Sequence, residues 1–392
     1  MKAKGVLNKI SGVFSGAVSA GISARKGKLD LAFLYIPECY SAAGVFTRSA
    51  FAAPCVSFTR AGIKNAKALI VNSGNANAAT GRRGLENCKL TAEIAAGCLG
   101  LKAGEVVVSS TGIIGKQLPM ECFRDGLPTL LSATSRKGGD EFAEAIMTTD
   151  LVPKEYFRER TIGGKKVKVA GVCKGSGMIA PNMATMLAFL VTDARIPRRL
   201  FQELLREVTD ESFNMTSVDT DTSTNDMFLA FSTGGVEINP AKDRAALKEL
   251  LLDCAVDLAK QIARDGEGAT RLVEVKVSGG KTLRQARAVA KSVVDSPLVK
   301  TAIHGADPNW GRVAAATGKV SGVVADKVSI SFAGTKVLQK GQPLRFNRDT
   351  LRARLNKPTV VVEVALGLGK FSATAWGCDL THGYVDINTE YN

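Results

Sequence analysis

Histidine is almost missing from this chain: two residues, His304 and His382, in a sequence of 392. A three-histidine metal site is therefore excluded, and a Ser–His–Asp triad would have to use one of those two imidazoles. Aromatic residues are scarce as well, at 6% with two tryptophans. Few aromatics are available for the base stacking of many nucleic-acid binders, and no zinc-finger, RNP-like or KH-like pattern occurs. No two of the eight cysteines lie closer than ten residues, so there is no Cys-x-x-Cys pair and no zinc ribbon or dithiol redox site. That thin spacing suits buried, reduced thiols in a cytoplasmic protein better than a secreted disulfide scaffold. Long hydrophobic runs are missing too. The stretch from Gly175 to Thr192 carries no charge, but Ser176, Pro181 and Asn182 interrupt it, and only Met186–Val191 is continuously apolar. That length predicts a buried strand and no membrane span. At the N-terminus, Lys2, Lys4 and Lys9 precede a stretch that mimics a signal peptide. Its core contains Ser11, Gly12, Ser15 and Gly16, too polar for export.

What is present is apolar content and positive charge. Apolar residues make up 45% of the chain, enough for substantial cores, and the net charge is +15. Residues 1–184 hold 25 basic and 13 acidic side chains, and residues 185–392 hold 27 and 24. The positives are scattered, which favours attraction of small anionic substrates, or solubility, over nucleic-acid binding.

Periodicity predicts a mixed α and β protein. Strands are expected at Leu29–Ile36, Lys67–Val71, Val106–Ser109, Lys166–Val172, Met186–Val191, Met227–Phe231, Val273–Val277, Val328–Phe332 and Thr359–Ala365. Helical spacing marks Leu90 to Cys98, Leu200 to Val208 behind Pro197, Leu247 to Ile262, and Leu283 to Val294 with Pro297 as its breaker. Strands and helices do not alternate regularly, so the fold class is α/β in the form of an α+β layered sandwich.

Several motif resemblances fail on inspection. Gly175-Ser176-Gly177-Met178-Ile179-Ala180 fits G-x-G-x-x-A, yet Pro181 follows where a dinucleotide-binding helix should begin. Asp219-x-Asp221-x-Ser223 opens like a calcium loop but has Thr224 at the glycine position and Ala230 where the bidentate glutamate belongs. His304 sits in a segment rich in Gly, Asp, Pro and Asn, where a structural role is the plainer reading.

The Lys174–Leu187 block is more informative. A glycine- and proline-containing loop runs into Thr185, which opens a buried apolar strand. Were the Ala184–Thr185 bond cut, Thr185 would carry a hydroxyl nucleophile and a free α-amine to serve as its base. With a pKa near 7.8 roughly a tenth of such an amine is neutral at pH 7, against a few parts in ten thousand for an ordinary lysine. No histidine is needed. A nucleophile of this kind needs donors for an oxyanion, and Val106–Gly115 is a strand ending in a Ser/Thr/Gly turn that can supply them.

These residues resemble the ornithine acetyltransferase family of arginine biosynthesis, the bifunctional glutamate N-acetyltransferases. The likeness runs end to end. Its most specific parts are Val71-Asn72-Ser73-Gly74-Asn75-Ala76-Asn77-Ala78 and the block around Thr185. Ser110–Gly115, Met147-Thr148-Thr149-Asp150, Ser217–Asp226, Ala263–Thr270, Asp307–Arg312 and Tyr384–Asn388 also contribute. The resemblance implies self-cleavage between Ala184 and Thr185 into an α chain, 1–184, and a β chain, 185–392, interleaved in one catalytic unit and assembled as an α2β2 heterotetramer. It implies that Thr185 carries the acetyl group from N2-acetylornithine to glutamate, with no cofactor and no metal. Thr111 and Gly112 would stabilise the oxyanion, and Thr148, Lys174, Thr185, Glu267 and Asn388 would contact substrate. The residues leave open whether acetyl-CoA is a second donor, and a threonine-nucleophile amidase or aminopeptidase is the alternative reading. The terminal threonine or serine usual in the family has no counterpart in Thr389-Glu390-Tyr391-Asn392, so no terminal contact is assigned.

Overall fold

The structure is a computed structural model that describes residues 5–132, 138–180, 186–239 and 241–390. The chain forms two compact units, each drawn from several segments. The first takes described residues of 5–175, 186–210 and 221–258, and the second takes 176–180, 211–220 and 259–390.

The first unit holds two sheets. In the smaller, Phe14–Val18, Leu31–Tyr35, Ala68–Asn72 and Val106–Ser110 lie side by side, and only the last pair is parallel. Every residue of Val106–Ser110 is buried, as expected of a short apolar run with no alternation. The helices Pro54–Gly62, Gly81–Leu99, Met120–Ser132 and Gly139–Ala145 pack on this sheet. The larger sheet orders Ser41–Phe46, Met227–Val236, Leu187–Ala194, Lys165–Lys174 and Lys154–Ile162. Its register aligns Phe46, Met227, Leu187 and Lys174 in one row at one end. The two sheets share a core, where the Phe142 ring meets Phe189 edge-on at 5.6 Å.

The second unit is built on a seven-stranded mixed sheet that runs from Gln342–Pro343 at one edge to Thr216–Ser217 at the other. Leu272–Gly280, Thr359–Ala365 and Phe371–Cys378 form its middle, and the helix Leu283–Val294 packs on the first and last of these.

All nine expected strands are present, with ends shifted by a few residues. The four helices expected from periodicity are present too, as Gly81–Leu99, Arg198–Glu211, Arg244–Arg264 and Leu283–Val294. Pro297 acts differently from expectation. It is the first residue of a further helix, Pro297–His304, with the Ser296 hydroxyl accepting the Val299 N–H. Proline suits that position because its missing N–H has no partner there in any case. His304 therefore ends a helix, where it faces the buried Asp379 carboxylate at 3.2 Å. Among the described residues no helix is long and apolar enough to cross a membrane, and no cluster of three His, Cys, Asp or Glu could hold a metal ion.

Candidate active site

The Val106–Ser110 strand ends in the turn that carries Thr111 and Gly112. Paired residues fix the turn: Thr111 N–H donates to the Asn72 carbonyl at 3.0 Å, and Ile113 N–H donates to the Gly74 carbonyl at 3.3 Å. Asn75 bridges to both Thr111 and Ile113. Gly112 has φ +132°, and a Cβ there would lie 2.3 Å from the Gly74 carbonyl carbon and 2.5 Å from the Asn75 nitrogen. Only glycine fits. The run Asn72–Ala78 thus serves as a bed for the turn. Asn225 secures it from a distant part of the chain, its side-chain amide donating to the carbonyls of Ala76 at 2.6 Å and Ser110 at 2.8 Å. Among the described residues the Thr111 hydroxyl has no hydrogen-bond partner.

A chain of contacts leads from this turn to Thr148 and Lys174. Ser73, next to Gly74, donates its hydroxyl to the Ala145 carbonyl at 2.7 Å. The Lys28 ammonium reaches Ser73 and the Met147 carbonyl, and Arg25 reaches the Thr148 carbonyl at 3.4 Å. Asp150 then gathers the segment. Its carboxylate accepts from Thr148 N–H at 3.0 Å, Gly175 N–H at 2.7 Å and the buried Lys154 ammonium at 2.7 Å. Burial would push the Asp150 carboxyl up, but the Lys154 and Lys174 charges and those hydrogen bonds hold it well below the usual carboxylate range. Burial, with the neighbouring Arg25 and Lys174 charges, lowers the Lys28 ammonium from its ordinary value. Lys174 is itself buried at the end of its strand, so the first unit gathers a compact cationic group around one carboxylate.

The second unit places the other two expected contacts together. Asn388, in the helix His382–Glu390, donates its amide to the Glu267 carboxylate at 2.9 Å. Glu267 N–H donates to the Ser176 carbonyl at 3.2 Å, and the Ser176 hydroxyl donates to the Asp265 carbonyl at 2.6 Å. A Cβ on Gly177 would fall 2.3 Å from the Glu267 carboxylate, so the glycine makes room for that side chain. Asp219 receives the N–H groups of Met178 at 2.6 Å and Ile179 at 2.8 Å. The acid that opened the calcium-like pattern is thus an anchor for the loop leading towards Thr185.

Thr111, Gly112, Thr148 and Lys174 therefore lie in one connected network of the first unit, and Glu267 and Asn388 pair in the second. Ala184 and Thr185 lie outside the described residues. Sequence reasoning assigned no role of their own to Asp150, Lys154, Lys28, Asn225 or Gly177. The four-residue spacing of Asp150 and Lys154 was a visible signal, although it arises at the start of a strand and not in a helix. All eight cysteines are free thiols, and burial pushes Cys55 up to about 11 and Cys39 up to about 12. Neither thiol competes as a nucleophile at neutral pH.

The ArgJ family profile matches residues 15–392. The Arginine biosynthesis bifunctional protein ArgJ of Bacillus anthracis is 44% identical over 383 residues, covering 96% of this chain and 94% of that protein. The protein of the same name from Gloeobacter violaceus is 44% identical over 398 residues, covering 99% and 98%. A crystal structure of the Bacillus halodurans ArgJ protein is 43% identical with a TM-score of 0.51, covering 53% of this chain and 100% of that one. The chain belongs to the ArgJ family, the ornithine acetyltransferase family of arginine biosynthesis.

Proposed function

We propose that the chain cuts itself between Ala184 and Thr185 and then moves an acetyl group from N2-acetylornithine to glutamate through an acetyl-Thr185 intermediate. The Thr185 Oγ attacks the acetyl carbonyl while its proton passes to the new α-amine. The C–N bond breaks, and the departing ornithine nitrogen takes that proton. The glutamate amine then attacks the acyl ester, restoring the hydroxyl and giving N-acetylglutamate. Each half-reaction passes through an oxyanion. The observation that carries the reading is the Thr111–Gly112 turn, which is held on both sides and offers a hydroxyl and a backbone N–H at a fixed point. A donor of that kind is commonly worth about 10²–10³ in rate.

Lys174 supplies a cation for a substrate carboxylate, and Thr148 lies on the same Asp150-bound segment. Glu267 would meet an ornithine ammonium, with Asn388 beside it. The size of the solved relative supports the cut. Its whole chain matches 53% of this one, and a product of 208 residues is likewise 53% of 392. The two products assemble as an α2β2 heterotetramer in the cytoplasm, without metal or cofactor.

Intact mass measurement of the purified protein tests the cut, with chains of 184 and 208 residues expected. Thr185→Ala should leave one chain and no acetyl exchange between labelled acetylornithine and glutamate. Full exchange by that variant would end the proposal. Rapid acetate release in the absence of glutamate would instead indicate an amidase, a reading the family match does not favour.

A further inference from the structure

A second basic site lies in the first unit, outside the network around Asp150. The edge strand Ser41–Phe46, the segment after it and the helix Arg198–Glu211 line an open surface cleft of about 580 Å³. Four arginines line it: Arg48, Arg60, Arg198 and Arg206. No lining residue is acidic, and among the described residues none of the four arginines has a carboxylate partner. The arrangement is specific to this face of the helix. Arg198, Gln202 and Arg206 follow at intervals of four, so they share one stripe. On the neighbouring stripe Arg199 pairs with Glu203 at 3.2 Å, the ordinary way for a surface helix to balance its charge.

The walls are firmly set. Gln202 accepts the Gly44 N–H at 3.2 Å and donates to the Gly44 carbonyl at 3.0 Å, clamping the helix to the sheet edge. Arg60 donates to the Thr47 carbonyl at 3.0 Å and lies 5.3 Å from the centre of the Phe46 ring, which fixes its direction. With four arginines and no acidic residue in its lining, the cleft favours a ligand with two or more negative charges. Guanidinium forks match phosphate oxygens in pairs, and the volume is that of a small-molecule site.

The position of the cavity bears on its use. Phe46 pairs with Met227, and Met227 pairs with Leu187, two residues after Thr185. Two strand spacings separate Phe46 from Leu187, about 10 Å. We propose that this arginine-lined cavity binds the phosphate groups of a small phosphorylated ligand. Two sources share that chemistry: a phosphorylated acyl carrier and a free inorganic phosphate or pyrophosphate. The carrier arm rests on the acetyl-transfer reading, because a carrier held here would extend its acyl arm along the sheet end towards Leu187, at the start of the strand that follows the proposed cut.

Calorimetric titration of the full-length protein with acetyl-CoA and with pyrophosphate tests the proposal, comparing wild type with the double variant Arg198→Ala/Arg206→Ala. Exchange between acetylornithine and glutamate serves as the control. The variant should bind acetyl-CoA at least about tenfold more weakly, while its KM for acetylornithine stays within about twofold. Arginine-dependent binding of pyrophosphate without acetyl-CoA binding would assign the cavity to a free anion. If neither ligand binds the wild type, or both bind the double variant as tightly, the proposal is overturned. Loss of acetylornithine exchange in the wild type would sink the acetyl-transfer reading alone, since the titrations report phosphate binding without it.

Discussion

At the scale of single residues, the turn after Val106–Ser110 separates chemistry from geometry. Thr111 contributes a hydroxyl, and Gly112 contributes an N–H that only glycine can present at φ +132°. Thr111→Val removes the hydroxyl with little change in shape. We expect kcat to fall about 10²–10³-fold with the melting temperature unchanged, read by acetyl exchange and calorimetry on the same sample. Gly112→Ala forces a methyl group against the Gly74 and Asn75 backbone, so stability should fall by about 1–3 kcal/mol along with activity. If Gly112→Ala retained full activity, the turn would not be the oxyanion site. Thr111 and Gly112 were legible because a strand followed by Ser, Thr and Gly is a local pattern. Asp150 was not, because the importance of a carboxylate depends on its burial and on partners at Thr148, Lys154 and Gly175.

At the scale of elements, the segment between the helix Gly139–Ala145 and the strand Lys154–Ile162 is held by the Asp150–Lys154 pair, both side chains fully buried. Asp150→Asn removes the Asp150 charge from beside the buried Lys154 ammonium, and disrupting a buried pair of this kind costs about 3–5 kcal/mol. Because the folded carboxyl is held below its ordinary value, its stabilising contribution is complete above the unfolded pKa of about 3.9. It is lost as pH falls below that, towards the folded value. Urea unfolding should therefore show a wide gap between wild type and Asp150→Asn near neutrality, narrowing as the pH drops below about 4. A gap of constant width would show that Asp150 stays protonated or unpaired. Long apolar runs and amphipathic helices were legible at this scale. The strand Ser41–Phe46, made of Ser, Ala, Ala, Gly, Val and Phe, was not, since small residues carry little β preference and its place is set by pairing with Met227–Val236.

At the scale of the whole molecule, the proposed cut divides the strands of one sheet between the two products. Strands 41–46, 154–162 and 165–174 come before it, while 187–194 and 227–236 come after it, and the sheet orders them early, late, late, early, early. Lys174 and Leu187 pair directly across the connection that would be cut. Asn225 adds a tie from the later piece to the carbonyls of Ala76 and Ser110 in the earlier one. Both products should therefore migrate together on native size exclusion and separate only in denaturant. Two peaks under native conditions would mean that the sheet does not survive the cut. The sequence by itself determined the mixed α and β composition, the buried strands, the Thr111–Gly112 turn and the exclusion of a three-histidine metal site, because each depends on residue type and local spacing. Only the tertiary structure decided that Asp150 anchors Thr148 and Gly175, that Asn225 braces the turn, and that four arginines share one cavity. Those facts depend on distances between residues far apart in the chain, and local pattern carries no information about them.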